Sequence, residues 1–336
     1  MKNFNIKKIR TIFKNYIFKY IYLKMYKVCV TGAAGRVAQT FIPLLCNGSI
    51  FPDKKITLSL LDINNEPQIR ELNGLKLELI DCNYPNLITI TTHTDAKEAF
   101  KDCDIIVFIG GFPRKPGMER KDLLKINSKI FTEQGLALQY AKEDVKCLVV
   151  ANPCNTNAKI MYEVCKKNGL KIKKENFTSL SRLDQDRAEG IYKEMYKKDS
   201  ANIFIWGNHS SNLFVDTLDE SINKDIENNQ NFLEKIQKRG AEIINVRGSS
   251  STFSAANAAK NHLRDWCYGN EKIVSMGVVS NGDYDIPKEL VSSFPIKCTG
   301  NWNYEVIKGI ELNNTKKEKI KKCVEDLQGE ANEIVV

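Results

Sequence analysis
Short apolar runs that do not alternate with polar residues constrain this chain more than any other feature. Residues 26–30, 56–61, 104–109 and 147–150 are near-continuous in Val, Ile, Leu, Phe and Cys. A strand that is apolar on both faces must be covered on both, the condition of a parallel sheet between helical layers. Residues 37–45, 96–100 and 122–141 carry helical spacing between those runs, so strands and helices alternate. The second half is more mixed. Residues 203–206 read as a strand, 232–245 and 254–268 as long helices, 273–310 as β-rich, and 316–333 as a polar-faced helix. A junction is expected within 155–178, dividing the chain into segments 25–155 and 156–336 behind a basic stretch, 1–24.

The first apolar run ends in Gly32, Ala33, Ala34, Gly35, Arg36, Val37 and Ala38, a G-x-x-G-x-x-A turn that opens a helix. Glycines let backbone approach a pyrophosphate, and the helix N-terminus stabilises its charge. Asp62 ends the next run, where a carboxylate accepts hydrogen bonds from ribose hydroxyls and repels a 2′-phosphate. That pair of features favours NAD over NADP; the alternative is an ordinary βα turn. The expected fold class is therefore α/β, a Rossmann-type doubly wound parallel sheet followed by a mixed α/β catalytic domain. The loop after the third run, residues 110–120, carries Arg114 and Arg120 among Gly and Pro. Such a loop suits an anionic substrate and a closing motion; the alternative is a solvated basic loop.

Three histidines occur, His93, His209 and His262. An apolar strand delivers only His209 to a Gly-Asn turn, and Asp184 and Arg187 stand some twenty residues upstream. His93 in a polar stretch and His262 in a helix read as structural. A 2-hydroxy acid needs one His to take its hydroxyl proton, one Asp to orient that His, and one Arg to grip its carboxylate. Hydride transfer is the leading reading, with a catalytically silent nucleotide-binding protein or a nucleic-acid-binding protein as rivals.

Composition weakens those rivals. The net charge of +9 falls to +2 once the seven Lys/Arg of residues 1–24 are set aside, so the body lacks a nucleic-acid stripe. No apolar run approaches the roughly 20 residues of a membrane span. Ten scattered cysteines without C-x-x-C pairs or zinc spacing imply free thiols in a reducing compartment and no metal. Residues 1–24 read as a dispensable extension, with Met25 an alternative start, as an organelle presequence, or as a membrane-surface helix. The expected address is cytoplasmic, or mitochondrial if that stretch is a presequence.

Several motifs occur in one order: residues 31–35, 61–63, 117–124, 152–157, 183–187 and 205–211, then 275–279 and 293–295. In these the chain resembles NAD-dependent malate dehydrogenases, specifically the cytosolic eukaryotic type of the lactate/malate dehydrogenase superfamily, from about Met25 onward. The resemblance implies that His209 accepts the proton and Asp184 orients it. It implies that Arg187 binds the C1 carboxylate, Arg120 polarises the carbonyl and Arg114 pairs with the distal carboxylate. Asn152 would contact substrate and cofactor, and Ser251 would line the substrate and nicotinamide pocket. Asn127, Gln134, Val150 and Ala151 would join residues 32–38 and Asp62 around NAD. The implied partners are malate and oxaloacetate, in tricarboxylic acid metabolism, with a homodimer as the assembly. Lactate dehydrogenase is the close alternative, and Arg114 argues against it because a distal methyl has no use for a guanidinium.

Overall fold
The computed structural model describes residues 25–113, 120–199, 202–227 and 229–334. The basic stretch 1–24 and Arg114 lie outside the described residues, as does the side chain of Arg120. One nine-stranded sheet organises the rest. Six strands are parallel: β1 (Met25–Thr31), β2 (Lys55–Leu61), β3 (Leu87–His93), β4 (Ile105–Phe108), β5 (Lys146–Val149) and β6 (Phe177–Ser179). They stand in the order β6-β5-β4-β1-β2-β3. Antiparallel β9 (Val274–Val279), β10 (Val291–Gly300) and β11 (Asn303–Val306) extend the sheet beyond β6. A separate hairpin pairs β7 (Ile203–Trp206) with β8 (Phe214–Thr217).

The helices are α1 (Arg36–Cys46), α2 (Glu66–Asp81), α3 (Ala96–Phe100), α4 (Arg120–Ala137) and α5 (Cys154–Lys167), then α6 (Arg182–Tyr196), α7 (Glu220–Ile226), α8 (Gln230–Arg247), α9 (Phe253–Tyr268) and α10 (Asn314–Asn332). They cover both sheet faces, as apolar strands require. Val28, Val30, Leu58 and Leu60 pack with Phe41, Ile42 and Leu45 of α1 on one side. Cys29, Ile106, Phe108, Cys147 and Val149 pack with Phe131 of α4 and Met161 of α5 on the other. Successive residues of β1 thus feed opposite cores.

Strand order reverses between β1 and β4, and open α/β sheets bind ligands outside the carboxyl ends at such a switch point. The turn after β1 and the loop after β4 therefore face the same cleft.

Two elements were absent from the sequence reading. Helix α2 is buried only through Leu72, Leu75 and Leu79, with Leu77 and Ile80 exposed among charged residues; Asn65 caps it by accepting from Gln68 N. Strand β3 is an edge strand, mostly exposed. Helix α5 and strand β6 lie within residues 155–178. All ten cysteines are free, and only Cys82 is exposed. No described helix is long and apolar enough to cross a membrane.

Two glycines test this packing in opposite directions. Gly74 lies inside α2 with open space around a built Cβ. Gly74→Ala should stabilise by roughly 0.5–1 kcal/mol, because alanine loses less backbone entropy in a helix. Gly207 has φ +89°, and a Cβ there would lie 2.3 Å from Cβ of Cys323. Gly207→Ala should destabilise by about 1–3 kcal/mol or more, through overpacking and strain. Urea midpoints of the two variants should move to opposite sides of the parent; movement to the same side contradicts the packing described.

Candidate active site
At the carboxyl end of β1, the turn is built by close approach. Gly32 has φ +63°, and a Cβ on it would sit 2.3 Å from Cα of Gly110, which ends the β4 strand's extension. A Cβ on Gly110 would in turn meet the Gly32 nitrogen at 2.7 Å. Gly35 precedes α1 in an extended conformation and makes no side-chain cap. The first-turn amides, including those of Arg36 and Val37, are therefore oriented as donors toward the cleft. Ala38 is fully buried against the sheet.

Asp62 closes β2 beside that turn. Its Oδ2 accepts from Ala34 N at 2.9 Å and its Oδ1 from Ile63 N at 2.8 Å, which fixes the carboxylate plane. Each oxygen keeps a second lone pair for a ribose hydroxyl. Val150 and Ala151 follow β5, both donating to Phe108 O, and lead to the exposed Asn152.

Asn127 and Gln134 both lie on α4, the helix that follows the loop after β4. Asn127 is buried; its Oδ1 accepts from Phe112 N at 2.9 Å and its Nδ2 donates to Phe112 O and Leu123 O, each at 3.2 Å. Its amide is committed to tying the loop after β4 to α4. Gln134 has a buried Oε1 with no hydrogen-bond partner among the described residues. Ser251 is half-buried between α8 and α9.

The second half supplies the reactive groups. Asp184 and Arg187 lie three residues apart in the first turns of α6, on one face of the helix. Strand β7 ends at Trp206, and Gly207 turns the chain so that His209 meets them. His209 Nδ1 lies 2.6 Å from Asp184 Oδ2, while Asp184 Oδ1 accepts from Arg187 Nη1 at 3.1 Å. The Asp184 side chain is 0% exposed and that of His209 25% exposed. Sequence reading passed over Asn155, whose Oδ1 accepts from His209 N at 3.3 Å. It lies inside the motif 152–157, but nothing in its residue type marked it.

The field of Asp184 raises the His209 pKa above its ordinary value. Burial opposes, the hydrogen bond to Asp184 adds, and Arg187 opposes again. With Nδ1 held by a carboxylate, Nε2 is the nitrogen left to exchange a proton with a ligand. Burial, with help from Arg239, lowers Arg187, and Asp184 resists that shift. The other histidines are elsewhere. His262 is buried against Thr178 at 3.1 Å and pushed down to about 3 by burial first, then by Arg182. His93 ends β3 beside Thr91 at 2.9 Å.

A buried Asp-His pair flanked by Arg is an arrangement that can take and return a hydroxyl proton. Two family models match the chain in succession. One, lactate/malate dehydrogenase, NAD binding domain, covers residues 26–178; the other, lactate/malate dehydrogenase, alpha/beta C-terminal domain, covers 181–336. The chain belongs to the lactate/malate dehydrogenase family and is an NAD-dependent oxidoreductase of that family.

Among solved structures it is similar to malate dehydrogenase from Naegleria fowleri ATCC 30863. That pair shares 35% identity over 92% of this chain and 97% of that one, with a TM-score of 0.86. It is similar also to Trichomonas vaginalis lactate dehydrogenase in complex with NADH and oxamate. There the identity is 33% over 91% and 97% of the two chains, with a TM-score of 0.85. Malate dehydrogenase from Plasmodium falciparum, at 20% identity over 92% and 98% and a TM-score of 0.75, shares the fold. The residues present fit NAD: the close Gly32–Gly110 contact shapes the turn after β1, and the Asp62 carboxylate is held beside that turn by Ala34 N and Ile63 N.

Three histidines make the electrostatics directly readable. In histidine-selective NMR, His209 should titrate above 6.5 and His262 should stay neutral down to about pH 3. The shift of His209 comes mainly from Asp184, so Asp184→Asn should bring it down. The protonated imidazole needed to reduce a 2-oxo acid persists to higher pH in the parent. That activity should be lost as pH rises through the raised pKa, and at lower pH in Asp184→Asn. Coincident His209 titrations in the two proteins would contradict the coupling.

Proposed function
We propose that the chain is a malate dehydrogenase, catalysing reversible NAD-dependent oxidation of (S)-malate to oxaloacetate within tricarboxylic acid metabolism. The observation that carries the reading is the His209–Asp184–Arg187 cluster, joined to a sequence that puts Arg114 on the loop after β4. NAD, when bound, would accept the hydride that leaves C2 of malate.

The chain's own residues do the rest. Arg187 grips the C1 carboxylate, and its Nη1 contact with Asp184 fixes the plane of that grip. His209 Nε2 takes the C2 hydroxyl proton as the carbonyl forms, and the resulting imidazolium is stabilised by the Asp184 carboxylate. In reduction the same proton returns to the alkoxide oxygen. Arg120 polarises that oxygen, and Arg114 pairs with the distal carboxylate. Asn152 and Ser251 line the substrate side of the cleft. Exclusion of water around the bound anion strengthens each charged contact.

Lactate dehydrogenase is the second reading, favoured by the likeness to the Trichomonas vaginalis enzyme. The homodimer is proposed on family resemblance. The proposed address is the cytoplasm; entry of a fluorescent fusion of residues 1–24 into mitochondria would replace it.

Arg114 separates the two substrates. Losing one partner of a desolvated charge pair costs about 2–5 kcal/mol. Arg114→Gln should therefore lower kcat/KM for oxaloacetate by about two to three decades, at 1.4 kcal/mol per decade, while pyruvate activity holds or rises. Arg187→Gln and Arg120→Gln should damage both, because every 2-oxo acid carries the groups they hold. Equal loss of both substrates in Arg114→Gln would remove the main residue-level support for malate.

A further inference from the structure
The turn that carries His209 is held from outside by the last helix. Lys316, Lys319, Cys323, Asp326 and Glu330 of α10 are spaced by three and four and so share one face. Lys316 Nζ lies 2.6 Å from the buried Asp216 Oδ1, and Asp216 Oδ2 accepts from Trp206 Nε1 at 3.2 Å. Cys323 Sγ lies 2.9 Å from Asn212 O and packs directly on Gly207. Asp326 Oδ2 accepts from Asn212 Nδ2 at 2.6 Å. One helix face thus touches both ends of the 207–212 turn.

The C-terminal end of that face reaches the other support of His209. Glu330 is buried, and its Oε2 accepts from Thr156 Oγ1 in the first turn of α5. A carboxylate is favoured there by the helix N-terminus. Thr156 follows Asn155, whose Oδ1 receives His209 N and whose Nδ2 donates to Val291 O at 3.3 Å. Cys154, at the start of the same helix, is pushed up to about 12 by burial first, with Asp184 and Glu330 both adding. Both carboxylates therefore act on one thiol at the floor of the site.

We propose that Glu330 is a positioning residue for His209, acting through Thr156 and Asn155, with Cys323 and Asp326 fixing the opposite side of the turn. The inference rests on the reading of His209 as proton acceptor. Glu330 touches no reacting atom; it sets where the imidazole stands between Asp184 and the substrate.

The test compares Glu330→Ala, Glu330→Gln, Thr156→Val and the Glu330→Ala/Thr156→Val double variant in the full chain. Turnover is measured with NADH and a 2-oxo acid, per NADH-binding site counted by fluorescence. Misplacing a reacting group by about 1 Å costs on the order of a hundredfold, so Glu330→Ala should lose about ten- to a hundredfold in kcat. Its NADH affinity should stay within about twofold of the parent, because the turn after β1 is untouched. Glu330→Gln retains an acceptor oxygen and should recover kcat to within about threefold of the parent. The double variant should lose no more than Glu330→Ala, as expected of residues acting in series. Thr156→Val, the milder change, should lose activity in the same direction and covers the case of a poorly folding Glu330→Ala. Parent kcat per site in Glu330→Ala or Thr156→Val, whatever the melting temperature, overturns the proposal, as do additive losses in the double variant. His209→Asn run alongside separates the two claims. Retained turnover there sinks the proton-acceptor reading, whereas its loss beside fully active Glu330 and Thr156 variants sinks the positioning role alone.

Discussion
The buried carboxylate of Asp184 is the contact on which the site depends. It is fully removed from solvent, a costly place for a charge unless that charge is paired. Arg187 and His209 supply the pairing, one to each oxygen. Neither partner would hold its geometry alone. Arg187 is itself nearly buried, and His209 sits on a turn rather than within a strand. Removing one member of such a set typically costs about 3–5 kcal/mol, because the remaining charge is left uncompensated.

Helix α6 is locked so that this carboxylate cannot move away. Arg182 Nη2 pairs with Asp265 of α9, and Arg182 Nε with Asp186 one turn along. Gln185 reaches the sheet, accepting from Ser275 N at 2.6 Å and donating to Ile273 O at 3.2 Å. The strands are fixed in turn: Ile205 N donates to Ser275 Oγ, and Gly207 exchanges two backbone bonds with Ser293. The Asp and the His therefore arrive on elements bound to the same antiparallel strands, β9 and β10. At the opposite wall, the Gly32–Gly110 contact joins β1 and β4 at the strand-order reversal. The turn after β1 and the His209–Asp184 pair are thus both tied to one continuous sheet.

Much of this was legible in the sequence, for identifiable reasons. Parallel strands such as β1, β4 and β5 are apolar on both faces, so their burial is written in the residues themselves. The His209–Asp184–Arg187 cluster was legible because only three histidines occur, and just one of them follows an apolar strand into a Gly-Asn turn. Helix α2 and strand β3 were not. The first buries three leucines but leaves Leu77 and Ile80 exposed among charged residues, and the second is an exposed edge strand, so tertiary position decides both. Helix α5 falls in the stretch read as a junction, and its first residues, Cys154, Asn155, Thr156 and Asn157, are buried under the His209 loop. Asn155 and Glu330 belong to the same class: their importance lies in whom they meet.

The central claim, that one proton on His209 is coupled to occupation of the 2-oxo acid site, is tested most directly by proton uptake. Oxamate binding to the NADH complex can be followed calorimetrically in buffers of different ionisation enthalpy, above the raised His209 pKa. A ligand that accepts a hydrogen bond from protonated Nε2 should draw close to one proton per site from solvent, and His209→Asn should abolish that uptake. Uptake near zero in the parent, or undiminished uptake in His209→Asn, would contradict the account.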